Sequence, residues 1–184
     1  MEIRDYKDVQ GHYDKIASIG MFEHIGLANV PFYFNKMNSL LRDRGLLLNH
    51  AITRRAKANK KKFSKIIPAM RVLHTFIFPG AELDHIGHTA ESMETKGFEV
   101  RDVECLREHY AITTAYWYRR LVARKDDAVR LVGAEKYRLW IGYLAGVSLA
   151  FVDGSCGIYQ TVAMKRASKG FSGLPMTRSD WYAA

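Results

Sequence analysis

Two short stretches set a carboxylate and imidazoles where an α/β protein does its chemistry. In SIGMFEHIG, residues 18–26, a short apolar run ends at Gly20, and Glu23 and His24 follow at once. In NHAIT, residues 49–53, His50 lies at the end of a second apolar run. If both runs are strands, these residues sit at strand carboxyl ends, where ligands of open α/β sheets lie. A carboxylate and an imidazole so placed can hold and move a proton. Each also has an ordinary use. Glu23 opens a helix, where the dipole favours a carboxylate, and His50 is also read as a hydrogen-bonded core histidine. His24 is Glu23's neighbour and points elsewhere in either strand or helix geometry, so it is expected to orient its surroundings rather than react.

The elements that must position these side chains follow from the pattern around them. YDKIAS (13–18) reads as one strand and GLLLNHAI (45–52) as another. Between them Phe32, Phe34, Met37, Leu40 and Leu41 mark the apolar face of a helix, with Pro31 in its first turn and Gly45 as its stop. Apolar runs that do not alternate with polar residues belong to strands covered on both faces, so the unit is βαβ in a parallel sheet. Beyond Ile52 a basic segment and VLHTFIFPGAELDHIG form an insert suited to a lid or substrate wall. A helix is expected over 83–96, ended by Gly97, then the strand FEVRDVECL. Two long helical patterns cover 110–123 and 126–151. A turn at Asp153 and Gly154 leads into a last strand, GIYQTVAMKR. One α/β domain over 1–170 and a partly ordered tail over 171–184, anchored by Trp181, is the expected organisation. About four strands is few for a covered sheet.

The chain has 184 residues, 48% of them hydrophobic, enough for one sizeable core. No run of eighteen apolar residues occurs and the amino end lacks a secretory pattern, so the expected location is cytoplasmic. Cys105 and Cys156 lack metal-ligand spacing and read as buried thiols. Basic residues exceed acidic ones by nine, and seven of them fall between Arg54 and Lys65. Such a cluster suits an anionic surface; near a membrane each lysine contributes about 1 kcal/mol. Phe63 is its only aromatic, and base-stacking platforms need several, so a lipid surface held by Lys60, Lys61 and Lys62 is favoured over nucleic acid.

Several blocks, in order, carry a resemblance: DYKD at 5–8, YDKIASIGMFEHIG at 13–26, GLLLNHAI at 45–52, FIFPGAEL at 76–83, REHYAITTAYW at 107–117, and YLAGVSLAFVDG with IYQTVAMK near the end. Together they resemble cyclopropane-fatty-acyl-phospholipid synthase and the mycolic acid cyclopropane synthases, S-adenosylmethionine-dependent methyltransferases. The resemblance implies the carboxyl-terminal portion of a Rossmann-like class I methyltransferase fold with a helical substrate-side insert. The family's first strands and glycine-rich turn, which hold much of the cofactor, would precede residue 1, so weak cofactor binding and an uncovered sheet edge are expected. Such an edge pairs readily with another chain, giving a homo-oligomer. A departure lies at FPGAELDH, where family members read FPGGxLPS.

By that resemblance the reaction carries a methyl group from a cationic sulfur to the double bond of an unsaturated phospholipid acyl chain. A bicarbonate ion serves as the base that lets the ring close. Its implied ligands are Glu23, His50 and Tyr110, with backbone contacts from Ile19 and Ile52. Asp5, Tyr6, Ser18 and Gly20 would contact S-adenosylmethionine, and Phe76, Phe78, Tyr116, Trp117, Tyr143 and Phe151 would line or back the acyl channel. The protein would then lie at the inner membrane surface. Two alternatives accompany this reading: a related fatty-acid C-methyltransferase that leaves the ring open, and an inactive module acting at membrane surfaces.

Overall fold

The computed structural model describes residues 2–56, 71–167 and 169–182. Four strands form one sheet: β1 (Tyr13–Ile19), β2 (Leu41–Arg54), β3 (Phe98–Cys105) and β4 (Cys156–Lys165). Their spatial order is β1-β2-β4-β3. β1 runs parallel to β2, as the βαβ reading requires. β4 runs antiparallel to both β2 and β3, so the sheet is mixed rather than parallel. A continuous apolar run reports burial on two faces and carries no information on strand direction.

The crossover helix α1 (Val30–Leu40) buries Val30, Tyr33, Phe34, Met37 and Leu40. These positions follow the i, i+3, i+4, i+7 rule of a helix laid on a core. Phe32, expected on this face, is exposed because it falls outside that stripe. The helix stops at Leu40, and Leu41 already opens β2. Gly45 therefore does not end the helix. It lies inside β2, where the register jumps between Tyr13↔Leu41 and Lys15↔Leu46. A Cβ there would sit 2.8 Å from the Arg42 carbonyl oxygen and 3.2 Å from that of Asp14. Glycine allows this bulged strand to close against β1.

Helix α2 (Ile86–Thr95) precedes β3, and its Met93 joins Tyr33, Phe34, Leu47, Ala51, Phe98 and Ala163 in the core on one face of the sheet. The helical hairpin of α3 (Arg107–Ala123) and α4 (Lys125–Val152) meets the other face, where Leu144 and Phe151 are buried. Gly133, at φ 84°, breaks α4 into two helical pieces. A last turn, α5 (Ser179–Tyr182), follows a tail tied back to β3 by an ion pair from Arg178 to the buried Asp102. The Trp181 side chain lies outside the described residues, as does the lysine cluster at 60–62. Cys105 is exposed at the end of an edge strand rather than buried. Cys156 is half-buried, and desolvation pushes its thiol up to about 11.

Gly45→Ala should lower the unfolding free energy by about 1–3 kcal/mol, the usual cost of forcing extra atoms into a packed site. Urea unfolding followed by circular dichroism reads this, and an unchanged midpoint would refute the close approach.

Candidate active site

Gly20 ends β1 with φ 63°, and its amide donates to the His50 carbonyl at 2.9 Å, the last rung shared with β2. The chain then leaves the sheet in a single 3-10 turn, Phe22–His24. Phe22 anchors that turn in the core, its ring 5.5 Å from Tyr33 and 5.4 Å from Phe34. With Phe22 pointing inward, Glu23 turns back to the sheet and its Oε1 accepts the Ile52 amide at 2.6 Å. A side-chain carboxylate thus replaces the backbone acceptor that a longer β1 would supply. The insert straps the turn in place: the Glu82 amide donates to the Glu23 carbonyl at 2.8 Å, and Glu82 Oε2 accepts the Leu27 amide at 2.7 Å. The departure from the family pattern, Asp84 and His85 in place of Pro and Ser, has structural work of its own. Asp84 accepts from the His85 amide and Thr89, and meets the His88 ring, while His85 caps α2.

His50 is reached from the opposite side by α3, where the Tyr110 hydroxyl lies 2.9 Å from Nε2. Glu23 and His50 are each only 6% exposed, and Tyr110 is half-buried. Desolvation lowers the pKa of His50, opposed in part by the Glu23 charge. Desolvation also raises that of Tyr110, and Glu23 adds to the rise. Both groups are therefore neutral at pH 7. A neutral imidazole and a phenol carry two protons, of which their mutual bond uses one. The other stays on Nδ1 or on the phenol, available to a ligand. Glu23 Oε2 and His50 Nδ1 are buried without a partner. Unpaired buried polar atoms cost about 1–3 kcal/mol each and are rare without a purpose.

Of the three groups that the resemblance assigned to one anion, His50 and Tyr110 are in contact, and the Glu23 charge acts on both. Ile52 reaches them through its amide, which Glu23 already occupies, while the Ile19 side chain is 65% exposed at the end of β1. Ser18 is buried at the same strand end with its hydroxyl facing that of Tyr33, and open space lies beside Gly20. Tyr6 packs edge-on against Tyr33 at 5.5 Å. The exposed Asp5 accepts the Lys7 amide and caps its own turn. Sequence reasoning missed Tyr33 and Asn49. Asn49 is the register partner of Ser18, and its Oδ1 is buried and unpartnered. The helical period from Val30 was the available signal for Tyr33.

Of the aromatic residues assigned to an acyl channel, Phe78 and Tyr143 meet edge-on at 5.4 Å. Tyr143 in turn meets Trp140 at 5.5 Å, and Phe78 meets His24 at 5.9 Å. This file leads from the half-exposed Trp140 to the neighbour of Glu23. Phe151 is buried against Tyr110 at 5.6 Å. Phe76, Tyr116 and Trp117 are exposed. A separate open cleft of about 550 Å³, lined by Arg54, Arg55, Arg107, Cys105, Cys156 and Tyr159 among others, contains none of the three site residues.

The fold is that of class I S-adenosylmethionine-dependent methyltransferases. It aligns with the cyclopropane synthase MmaA2 of Mycobacterium tuberculosis at a TM-score of 0.80 and 27% identity, over 87% of this chain and 58% of that one. The mycolic acid cyclopropane synthase CmaA1, solved with SAH and CTAB, aligns at 0.79 and 30% identity with the same coverage. Residues 1–161 match the family described as mycolic acid cyclopropane synthetase, and the chain belongs to it. A probable fatty acid methyltransferase of Pseudomonas putida is 37% identical over 184 residues, covering 99% of this chain and 46% of the relative. The chain thus spans about half the length of these relatives.

Because burial favours neutral His50, its titration midpoint should lie below the unfolded value of about 6.5. As pH falls through 6.5 the unfolded chain takes up a proton that folded His50 refuses, so this residue costs stability on the acid side. Removing the Glu23 charge by Glu23→Gln should lower the midpoint further. Histidine NMR titration measures both; a midpoint above 6.5 would refute the buried, neutral imidazole.

Proposed function

We propose that the protein takes part in S-adenosylmethionine-dependent modification of an unsaturated phospholipid acyl chain, giving a cyclopropane, and that Glu23, His50 and Tyr110 hold bicarbonate as the base. The carrying observation is that Glu23 Oε2 and His50 Nδ1 are buried without partners while His50 Nε2 meets the Tyr110 hydroxyl and the Glu23 charge acts on both rings. Bound S-adenosylmethionine would supply the one-carbon unit, and bicarbonate a proton acceptor. Bicarbonate matches the donor set: it has one O–H, which Glu23 Oε2 can accept, and anionic oxygens, to which the proton left on the His50–Tyr110 pair can be donated.

Each residue has a role that its surroundings support. Glu23 is fixed by the Ile52 amide, so its free oxygen keeps one direction. His50 and Tyr110 supply a neutral donor that does not neutralise the base. Burial excludes competing water, which strengthens each bond. Ser18, Gly20 and Tyr6, with Asp5 beyond them, are the residues on the cofactor side. Phe78 and Tyr143, with Trp140 at the open end, form the apolar wall along which an acyl chain would reach Glu23.

A second reading, fatty-acid C-methylation without ring closure, is favoured by the description of the Pseudomonas putida relative. Proton NMR of the product separates the two by the presence or absence of upfield ring methylene signals. The reading extends to self-association. β1 is a sheet edge whose Tyr13 and Ile19 are exposed, and sedimentation should show a dimer or larger species; a strictly monomeric chain would contradict that.

Tyr110→Phe and Glu23→Gln should each slow transfer from labelled S-adenosylmethionine to phospholipid vesicles on the order of 10²–10³-fold in kcat, as loss of a preorganised partner does elsewhere. Added bicarbonate should recover part of the loss. Rates within about twofold of the parent would remove the anion site from the mechanism.

A further inference from the structure

The turn that joins α3 to α4 is exposed. Between 119 and 132 it carries five basic residues, Arg119, Arg120, Arg124, Lys125 and Arg130, against two acidic ones, Asp126 and Asp127. All seven are exposed, and among the described residues the only carboxylate pairing within this set is Arg130 with Asp127. The same end exposes apolar side chains that a solvated helix tip has no reason to keep. Leu131 is 82% exposed, and Val122 and Val132 are exposed as well. Tyr116 and Trp117 are exposed one turn back along α3, and the Arg119 guanidinium lies 5.8 Å from the Tyr116 ring centroid.

Cationic heads, exposed aliphatic side chains and half-exposed aromatic rings on one helical end make the composition of an interfacial surface. The basic groups seek anionic headgroups, and the apolar and aromatic ones enter the headgroup–acyl boundary. Charge decides between occupants. A second copy of the tip would bring its own excess of positive charge against this one, whereas an anionic bilayer complements it. Among the described residues no helix is long and apolar enough to cross a membrane, so contact from one side is the available mode. Position supports the same occupant. Trp140, the open end of the ring file that leads to His24, lies on the same helical arm, eight residues after Val132 and past the Gly133 break.

We propose that the α3–α4 hairpin end is the surface by which the protein docks on an anionic lipid bilayer, delivering an acyl chain to the Trp140–Tyr143–Phe78 file. Delivery rests on the acyl-modifying reading above; docking does not. Co-sedimentation with phosphatidylglycerol/phosphatidylcholine vesicles, without cofactor, tests docking by itself. The parent chain should bind at low salt, bind less as salt rises, and bind little to vesicles of phosphatidylcholine alone. Arg119→Glu/Arg120→Glu/Arg124→Glu should weaken the partition at least about tenfold, and Leu131→Glu alone about threefold, with circular dichroism unchanged. Three results would overturn the proposal: no parent binding to anionic vesicles, binding within twofold for both variants, or loss only on reversal of Lys60, Lys61 and Lys62. If vesicle binding follows the hairpin variants but no acyl product forms with any chain, docking stands and the acyl reading falls.

Discussion

One hydrogen bond organises the site: the Ile52 amide donating to Glu23 Oε1 at 2.6 Å. It exists because β1 is shorter than β2. The strands share their last backbone rung at Gly20 and His50, and β2 then presents its next donor to an empty position. A carboxylate fills that place, which completes the ladder and fixes the Glu23 side chain at the strand carboxyl ends. Everything nearby serves that placement. Phe22 pins the turn from below, and Glu82 pins it from the insert side.

The remaining geometry follows from strand alternation and helix position. His50 projects from β2 towards the hairpin, where α3 sets Tyr110 against it. Ser18, Tyr33 and Asn49 bury further polar atoms at the same strand end, of which the Ser18 and Tyr33 hydroxyls face each other and Asn49 Oδ1 has no partner. A folded chain seldom leaves buried donors and acceptors unpaired. Their concentration beside one carboxylate favours a polar ligand there over a purely structural network. Desolvation keeps the imidazole and the phenol neutral, so of the three groups Glu23 alone carries charge, and it meets an incoming anion through that anion's proton.

Much of this was legible in the sequence, for identifiable reasons. SIGMFEH and NHAIT marked the two strand ends because apolar runs stop there and polar side chains begin, and the structure puts both at the same end of the sheet. The βαβ unit was equally visible, since the helical stripe and its flanking runs differ in period. Direction was hidden: the composition of β4 is that of any strand covered on both faces. The helix boundary was hidden as well, because Leu41 extends the apolar stripe of α1 while belonging to β2, and the glycine after it looked like a stop instead of a bulge. Phe32 was chosen by apolarity where the period selects Tyr33. Residue type alone points to a buried Cys105, although its place at the end of an edge strand leaves it exposed. Tyr110, sixty residues from His50, was reached only through the family blocks, since local pattern cannot report a contact made by tertiary packing.

The central claim is that Glu23, His50 and Tyr110 converge on a place for one small anion carrying its own proton. Carbon-13 NMR of labelled bicarbonate titrated with the protein tests this most directly. Saturable broadening or shift of the bicarbonate signal that is lost in Glu23→Gln and weakened in Tyr110→Phe is the predicted result. A signal that the parent chain leaves unchanged, or perturbs equally with and without the Glu23 carboxylate, would contradict the account.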